Sequence, residues 1–166
     1  FLRYGLKLEP WRQASFDAPV FGTFAHHVLE CTVRDVMEQG GFHAVPRETV
    51  LRIAARHMDE YAKNFMSAAQ QTDERCDYLF RRNREEVLGI VGNVADELRV
   101  SRFVPCDEEL AFSDNGKLPP VIVETPDGQA VLSGFVDRVD TLDTPDGGYF
   151  RVIDYKTGHK EFDYTD

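Results

Sequence analysis

The 166-residue chain is 42% hydrophobic and 29% charged, with 29 acidic against 19 basic residues and a formal net charge of −10. Its length suits one domain whose core needs no disulfide or metal staple. No apolar run of about 18 residues is present to span a bilayer, and "FLRYGLKLEP" at the start lacks the pattern of a secretory leader. The expectation is a cytoplasmic protein with no membrane partner, and the acidity speaks against bulk electrostatic binding of nucleic acid, which shows as a basic excess. The chain starts without methionine and stops at "FDYTD" with no finishing element, so a segment truncated at both ends is expected.

From Phe21 to Gln39 the residues Phe21, Phe24, Ala25, Val28, Val33 and Val36 recur at mostly three- and four-residue spacing, and Gly40-Gly41 follows. This predicts an amphipathic helix with a glycine stop. A second helix is predicted to open near Pro46, with Val50, Ile53, Ala54, Met58, Tyr61, Ala62 and Phe65 on one face. A third opens near Asp73 and carries Leu79, Phe80, Val87, Ile90, Val91, Val94 and Leu98; its length predicts a kink around Gly89 or Gly92. After Pro105 helical spacing gives way to β-prone runs, "EELAF", "PVIVE", "AVLSGFVDRVDTL" and "YFRVIDYK", separated by turn residues including two copies of "TPDG". The reading is a mainly helical part over residues 1–104 and an antiparallel β-meander over 105–166, together an α/β arrangement.

Cys31, Cys76 and Cys106 form no C-x-x-C pair, which argues against a self-contained zinc site and favours buried thiols.

The last hairpin can be taken further. With its turn centred on Pro145 and Asp146, positions whose numbers sum to 291 face each other, placing Asp137 opposite Asp154. Lys156 lies on the face of Asp154 by the two-residue strand period. Two opposed carboxylates repel unless something positive sits between them. A divalent cation suits that position, because aspartate oxygens are the ligands magnesium and manganese prefer. Lys156 would then stand where it can orient or deprotonate a water or stabilise charge on a phosphate. For the bare D-x-K spacing in "VIDYKTG", an ordinary surface Asp–Lys pair is the plainer alternative.

The surrounding pattern decides between them. "SGFVDRVD" followed by "VIDYKTG" resembles the RecB-type nucleases of the PD-(D/E)-x-K superfamily, which carry G-x-x-D in one strand and D-x-K in the next. Here these are Gly134 to Asp137 and Asp154 to Lys156. The family's helical motif G-x-x-x-H-x-x-L-E is matched by "GTFAHHVLE", with Gly22, His26, Leu29 and Glu30. The closest likeness is to the C-terminal nuclease domain of the AddB-type subunits of AddAB-type helicase-nucleases.

That resemblance implies a restriction-endonuclease-like core, a mixed or antiparallel central sheet flanked by helices, with residues 1–166 as one nuclease domain. It implies that His26, Asp137 and Asp154 hold Mg²⁺ or Mn²⁺ and that Lys156 acts on water or phosphate. Glu109 is a weaker candidate, since family members often carry a glutamate there. The substrate implied is single-stranded DNA unwound from double-stranded ends during break repair, and the implied partner is an AddA-type helicase-nuclease subunit in a heterodimer. The family's 4Fe-4S cluster uses cysteines in flanks beyond this chain, and none of Cys31, Cys76 and Cys106 falls at a cluster position.

DNA contacts are harder to place. Arg81, Arg82 and Arg84 cluster on a helix and Arg138 follows Asp137. A solvated helix face is the plainer reading of the cluster; a nucleic-acid contact is the sharper one. Two rival functions stand beside the nuclease: a nuclease-like fold that grips DNA or a partner without cutting, and a stand-alone CRISPR-associated nuclease with the same core.

Overall fold

The structure, a computed structural model, describes residues 18–69, 74–126 and 128–156, without the side chains of 18–19, 66–69, 74–77 and 79. The opening "FLRYGLKLEP", Asp73, the side chains of Cys76 and Leu79, and everything from Thr157 onward lie outside the described residues.

Three helices come first, α1 (Ala18–Glu38), α2 (Arg47–Ala69) and α3 (Glu74–Val100). The apolar periodicity becomes a common core: Phe24, Val28 and Val36 of α1 meet Val50, Ala54 and Met58 of α2 and Val87, Val91 and Leu98 of α3, each 2% exposed or less. Fully burying each such side chain contributes roughly 1.5–3 kcal/mol. An aromatic cluster closes one end, with the Phe24 and Phe80 rings edge to face at 5.5 Å and Phe24 and Tyr61 at 5.2 Å. α1 ends at the expected glycines. The Gly41 N–H reaches back to the Val36 carbonyl at 2.9 Å, and Gly40 and Gly41 take φ of 102° and 84°, a left-handed cap that satisfies an otherwise orphaned helix carbonyl. The predicted interruption of α3 does not occur, because the helix is continuous through Gly89 and Gly92. Gly92 instead makes room for the Arg47 guanidinium, which would lie 2.5 Å from a Cβ there and which pairs with Asp96 at 3.0 Å.

Five strands follow: β1 (Val104–Phe112), β2 (Val121–Thr125), β3 (Gly128–Leu132), β4 (Gly134–Thr144) and β5 (Gly147–Ile153). They form an antiparallel three-stranded sheet in the order β1-β4-β5 and a separate β2-β3 hairpin. The simple meander expected from sequence is therefore corrected. The long run "AVLSGFVDRVDTL" breaks at Ser133 and supplies strands to two sheets, and β1 pairs with β4 rather than with β2. Gly134 begins the new strand where the Phe112 ring packs across it, 2.9 Å from where a Cβ would sit. α1 lies against β1 and β4, which carries His26 to the sheet. No helix among the described residues is long and apolar enough to cross a membrane.

Candidate active site

The β4-β5 hairpin has the register expected from its turn: Thr144 faces Gly147, Val139 faces Val152 and Arg138 faces Ile153. Continued by one residue this sets Asp137 opposite Asp154, just past the end of the ladder. The Asp137 carboxylate is held from two sides. Its Oδ2 accepts the Tyr155 N–H at 2.6 Å, and its Oδ1 lies 3.3 Å from His26 Nδ1. The other ring nitrogen of His26, Nε2, donates to the Tyr155 carbonyl at 2.8 Å.

The Tyr155 carbonyl can only accept, so His26 Nε2 carries a proton while Nδ1 faces the carboxylate. Nδ1 and the carboxylate oxygen are both metal-ligating atoms, and two such lone pairs can face each other only with a proton or a cation between them. The spacing suits a cation, since adjacent ligands on an octahedral ion bound at about 2.0–2.1 Å are separated by about 3 Å. His26 and Asp137 therefore fit as two ligands of one divalent ion. Asp154 lies beside them with its Oδ2 on Lys156 Nζ at 2.6 Å, both side chains more than half exposed. The hydrogen bond to Lys156 holds the Asp154 carboxyl below its usual range, and the same contact pushes the Lys156 ammonium up, so both are charged. Asp154 would join such an ion by turning from Lys156, a rotation its exposure leaves open.

Glu109 is placed in the same neighbourhood. The pairs Glu108–Arg138 and Leu110–Val136 bracket it, so it faces Asp137 across the sheet. Its φ of 48° makes it the one non-glycine residue of positive φ among the described residues, a strained backbone of the sort found where a side chain is aimed for function. His26, Glu30, Glu108, Glu109, Asp137 and Tyr155 line a small cleft. Burial pushes the Glu108 carboxyl up, with Arg34 pulling it part of the way back.

The arginines are not part of this cluster. Arg138 is 2% exposed and points to the opposite face of β4, where its Nε and Nη2 donate to the two oxygens of the fully buried Asp140 at 2.8 and 3.1 Å. The expected phosphate contact at Arg138 does not fit this position, and the residue belongs to the interior. Arg151 donates to Asp140 at 2.7 Å and meets Glu97 of α3 at 2.6 Å, completing a group of two cations and two anions between sheet and helix. Arg81 and Arg84 line a groove of the α2-α3 pair with Phe24 and Met58, Arg84 is bonded to Asp59, and Arg82 is exposed.

Of the thiols, Cys31 is buried as expected, whereas Cys106 is exposed on β1 and its Sγ donates to the Val139 carbonyl at 3.3 Å. His27, Glu30 and Cys31 form a second donor set, their atoms all within 4.8 Å. Arg34 already supplies the positive charge there, bonding Cys31 Sγ at 3.1 Å and Glu30 at 2.9 Å, and burial pushes the thiol up, away from the thiolate a metal needs. Sequence reasoning did not single out Tyr155, whose backbone N–H and carbonyl meet Asp137 and His26. For the buried group a signal was present: the sum of 291 that pairs Asp137 with Asp154 also pairs Asp140 with Arg151, and places Arg138 on their inward face.

The family model for the PD-(D/E)XK nuclease superfamily matches residues 1–166. Among curated proteins, an ATP-dependent helicase/deoxyribonuclease subunit of Acetivibrio thermocellus is 32% identical over 168 residues, covering all of this chain and 15% of the relative. Proteins of the same description from Clostridioides difficile and Clostridium novyi are 29% and 30% identical, again over all of this chain and over 14% and 15% of their own lengths. The chain thus spans about 15% of the length of the curated relatives it matches.

Proposed function

The chain belongs to the PD-(D/E)XK nuclease superfamily, and from that premise we propose that it is the nuclease domain of an ATP-dependent helicase-nuclease subunit, hydrolysing phosphodiester bonds of single-stranded DNA during double-strand break repair. The observation that carries this reading is the approach of His26 Nδ1 to Asp137 Oδ1 at 3.3 Å, with Asp154 and Lys156 beside them. Bound Mg²⁺ or Mn²⁺ would supply a Lewis acid for the phosphate and lower the pKa of a water.

The chain's own residues do the rest. His26, fixed through Nε2, and Asp137, fixed through Oδ2, present one donor atom each, so little ordering remains when the cation arrives. Asp154 would join them as a ligand, giving up its bond to Lys156. Lys156, freed from that pair, would orient or deprotonate the attacking water or steady charge on the phosphate oxygens. Glu109, opposite Asp137, is a further candidate for the metal or its water.

The net charge of −10 gives the chain no general hold on DNA. The strand is then delivered by the rest of the longer protein and a helicase-nuclease partner of the AddA type, in the cytoplasm. The iron-sulphur cluster that the resemblance implies would take its ligands from the flanks, since none of Cys31, Cys76 and Cys106 stands at a family cluster position.

The test is cleavage of single-stranded DNA by the full-length protein with Mg²⁺, comparing wild type with Asp154→Ala and Lys156→Ala. Asp154→Ala and added chelator should each abolish cleavage, and Lys156→Ala should lower kcat by about 10²-fold or more while the metal requirement persists. Cleavage that survives chelator and both substitutions rules the mechanism out.

A further inference from the structure

We infer that Arg138 and Tyr155 are positioning residues for the metal site, the buried arginine acting through the tyrosine on His26 and Asp137. This rests on the reading of His26 and Asp137 as ligands.

The case begins where β5 stops. Ladder pairing ends at Ile153, so the segment Asp154 to Lys156, which carries two of the candidate functional groups, is not held by the sheet. Its backbone contacts at Tyr155 are the N–H on Asp137 Oδ2 at 2.6 Å and the carbonyl accepting from His26 Nε2 at 2.8 Å. Those partners are the ligands themselves. Without a further anchor, the ligands would be held by a segment that only they hold.

The side chain of Tyr155 is that anchor. Its ring packs against the helical core, and its hydroxyl accepts from Arg138 Nη1 at 2.7 Å. Arg138 is pinned by its contacts: it is 2% exposed, and its Nε and Nη2 are committed to Asp140, which is fully buried. A guanidinium is a rigid planar fork, so two bonds to Asp140 aim the remaining amino group. The Arg138 Cζ also lies 5.6 Å from the centre of the Tyr155 ring. One strand thus supplies a ligand, Asp137, on one face and the support for its partner segment, Arg138, on the other. Partners of this sort that orient metal ligands are commonly worth about 10- to 100-fold in metal affinity.

The experiment is a Mn²⁺ titration of the full-length protein without DNA, followed by electron paramagnetic resonance, paired with cleavage measured across the same Mn²⁺ range. Tyr155→Phe removes only the hydroxyl. It should raise the Mn²⁺ concentration for half-saturation about tenfold or more, with kcat recovering at saturating metal. Loss of folded protein alone would lower kcat at every metal concentration and leave half-saturation unchanged. Arg138→Lys keeps the charge beside Asp140 but loses the fork, and should shift half-saturation in the same direction; it carries the test if Tyr155→Phe does not fold. Asp137→Asn is the reference, expected to lose binding. Wild-type half-saturation in Tyr155→Phe, or in Arg138→Lys if that variant alone folds, overturns the positioning role where Asp137→Asn has lost binding. Wild-type binding in Asp137→Asn overturns the ligand reading beneath it.

Discussion

Glu108 on β1 and Asp154 just past the end of β5 are two carboxyls pushed in opposite directions by their surroundings. Lys156 holds Asp154 down, whereas burial pushes Glu108 up. A carboxyl raised on folding contributes stability that is fully present below its unfolded value and is lost as pH rises through its folded one. In the presence of chelator, Glu108→Gln should therefore flatten the decline in unfolding temperature just above the ordinary carboxylate range, and an unchanged slope would show that Glu108 is solvated. At this scale the sequence was partly legible. Asp137 and Asp154 could be brought together from turn position alone, since a two-residue loop leaves few registers. The use of Tyr155 could not, because its backbone N–H and carbonyl serve the site and backbone atoms leave no trace in residue identity. Arg138 misled for a related reason. An arginine beside an acidic motif looks like a phosphate contact until the strand period sends it inward to Asp140.

The helices and strands were legible where periodicity and caps agreed. α1 runs from Ala18 to Glu38 and stops at Gly40-Gly41, where φ is positive at both residues. Gly41→Ala should cost about 1–2 kcal/mol by forcing a Cβ into the left-handed region, read as a shift in the denaturant midpoint without a change in slope; no shift would mean the cap is not formed in solution. The split of one apolar run between β3 and β4 was missed although Ser133-Gly134 is a turn-prone pair, because the β-prone pattern continues on both sides of it. What separates the two strands is the Phe112 ring lying over Gly134, a contact between residues far apart in sequence. α3 shows the converse. Glycines that suggested a kink lie within a continuous helix, one of them making room for Arg47.

For the molecule as a whole, what joins the two halves is as telling as what fills them. The helical core is apolar, but between α3 and the sheet lie Arg138, Asp140, Arg151 and Glu97. Removing one partner of a buried pair leaves the other charge uncompensated, so Asp140→Asn should destabilise by about 3–5 kcal/mol; a change under about 1 kcal/mol would show the group to be solvated. The same group stands behind the site, with Arg138 at its edge reaching Tyr155 and Tyr155 reaching His26 and Asp137. The central claim is that these residues gather one divalent cation at the end of β5. It is tested most directly by anomalous scattering from crystals of the full-length protein soaked in Mn²⁺. The expected result is a single strong peak between His26 Nδ1 and Asp137 Oδ1, with Asp154 turned from Lys156 toward it. A peak at His27, Glu30 and Cys31 instead, or none near Asp137 at a concentration that supports cleavage, would contradict it.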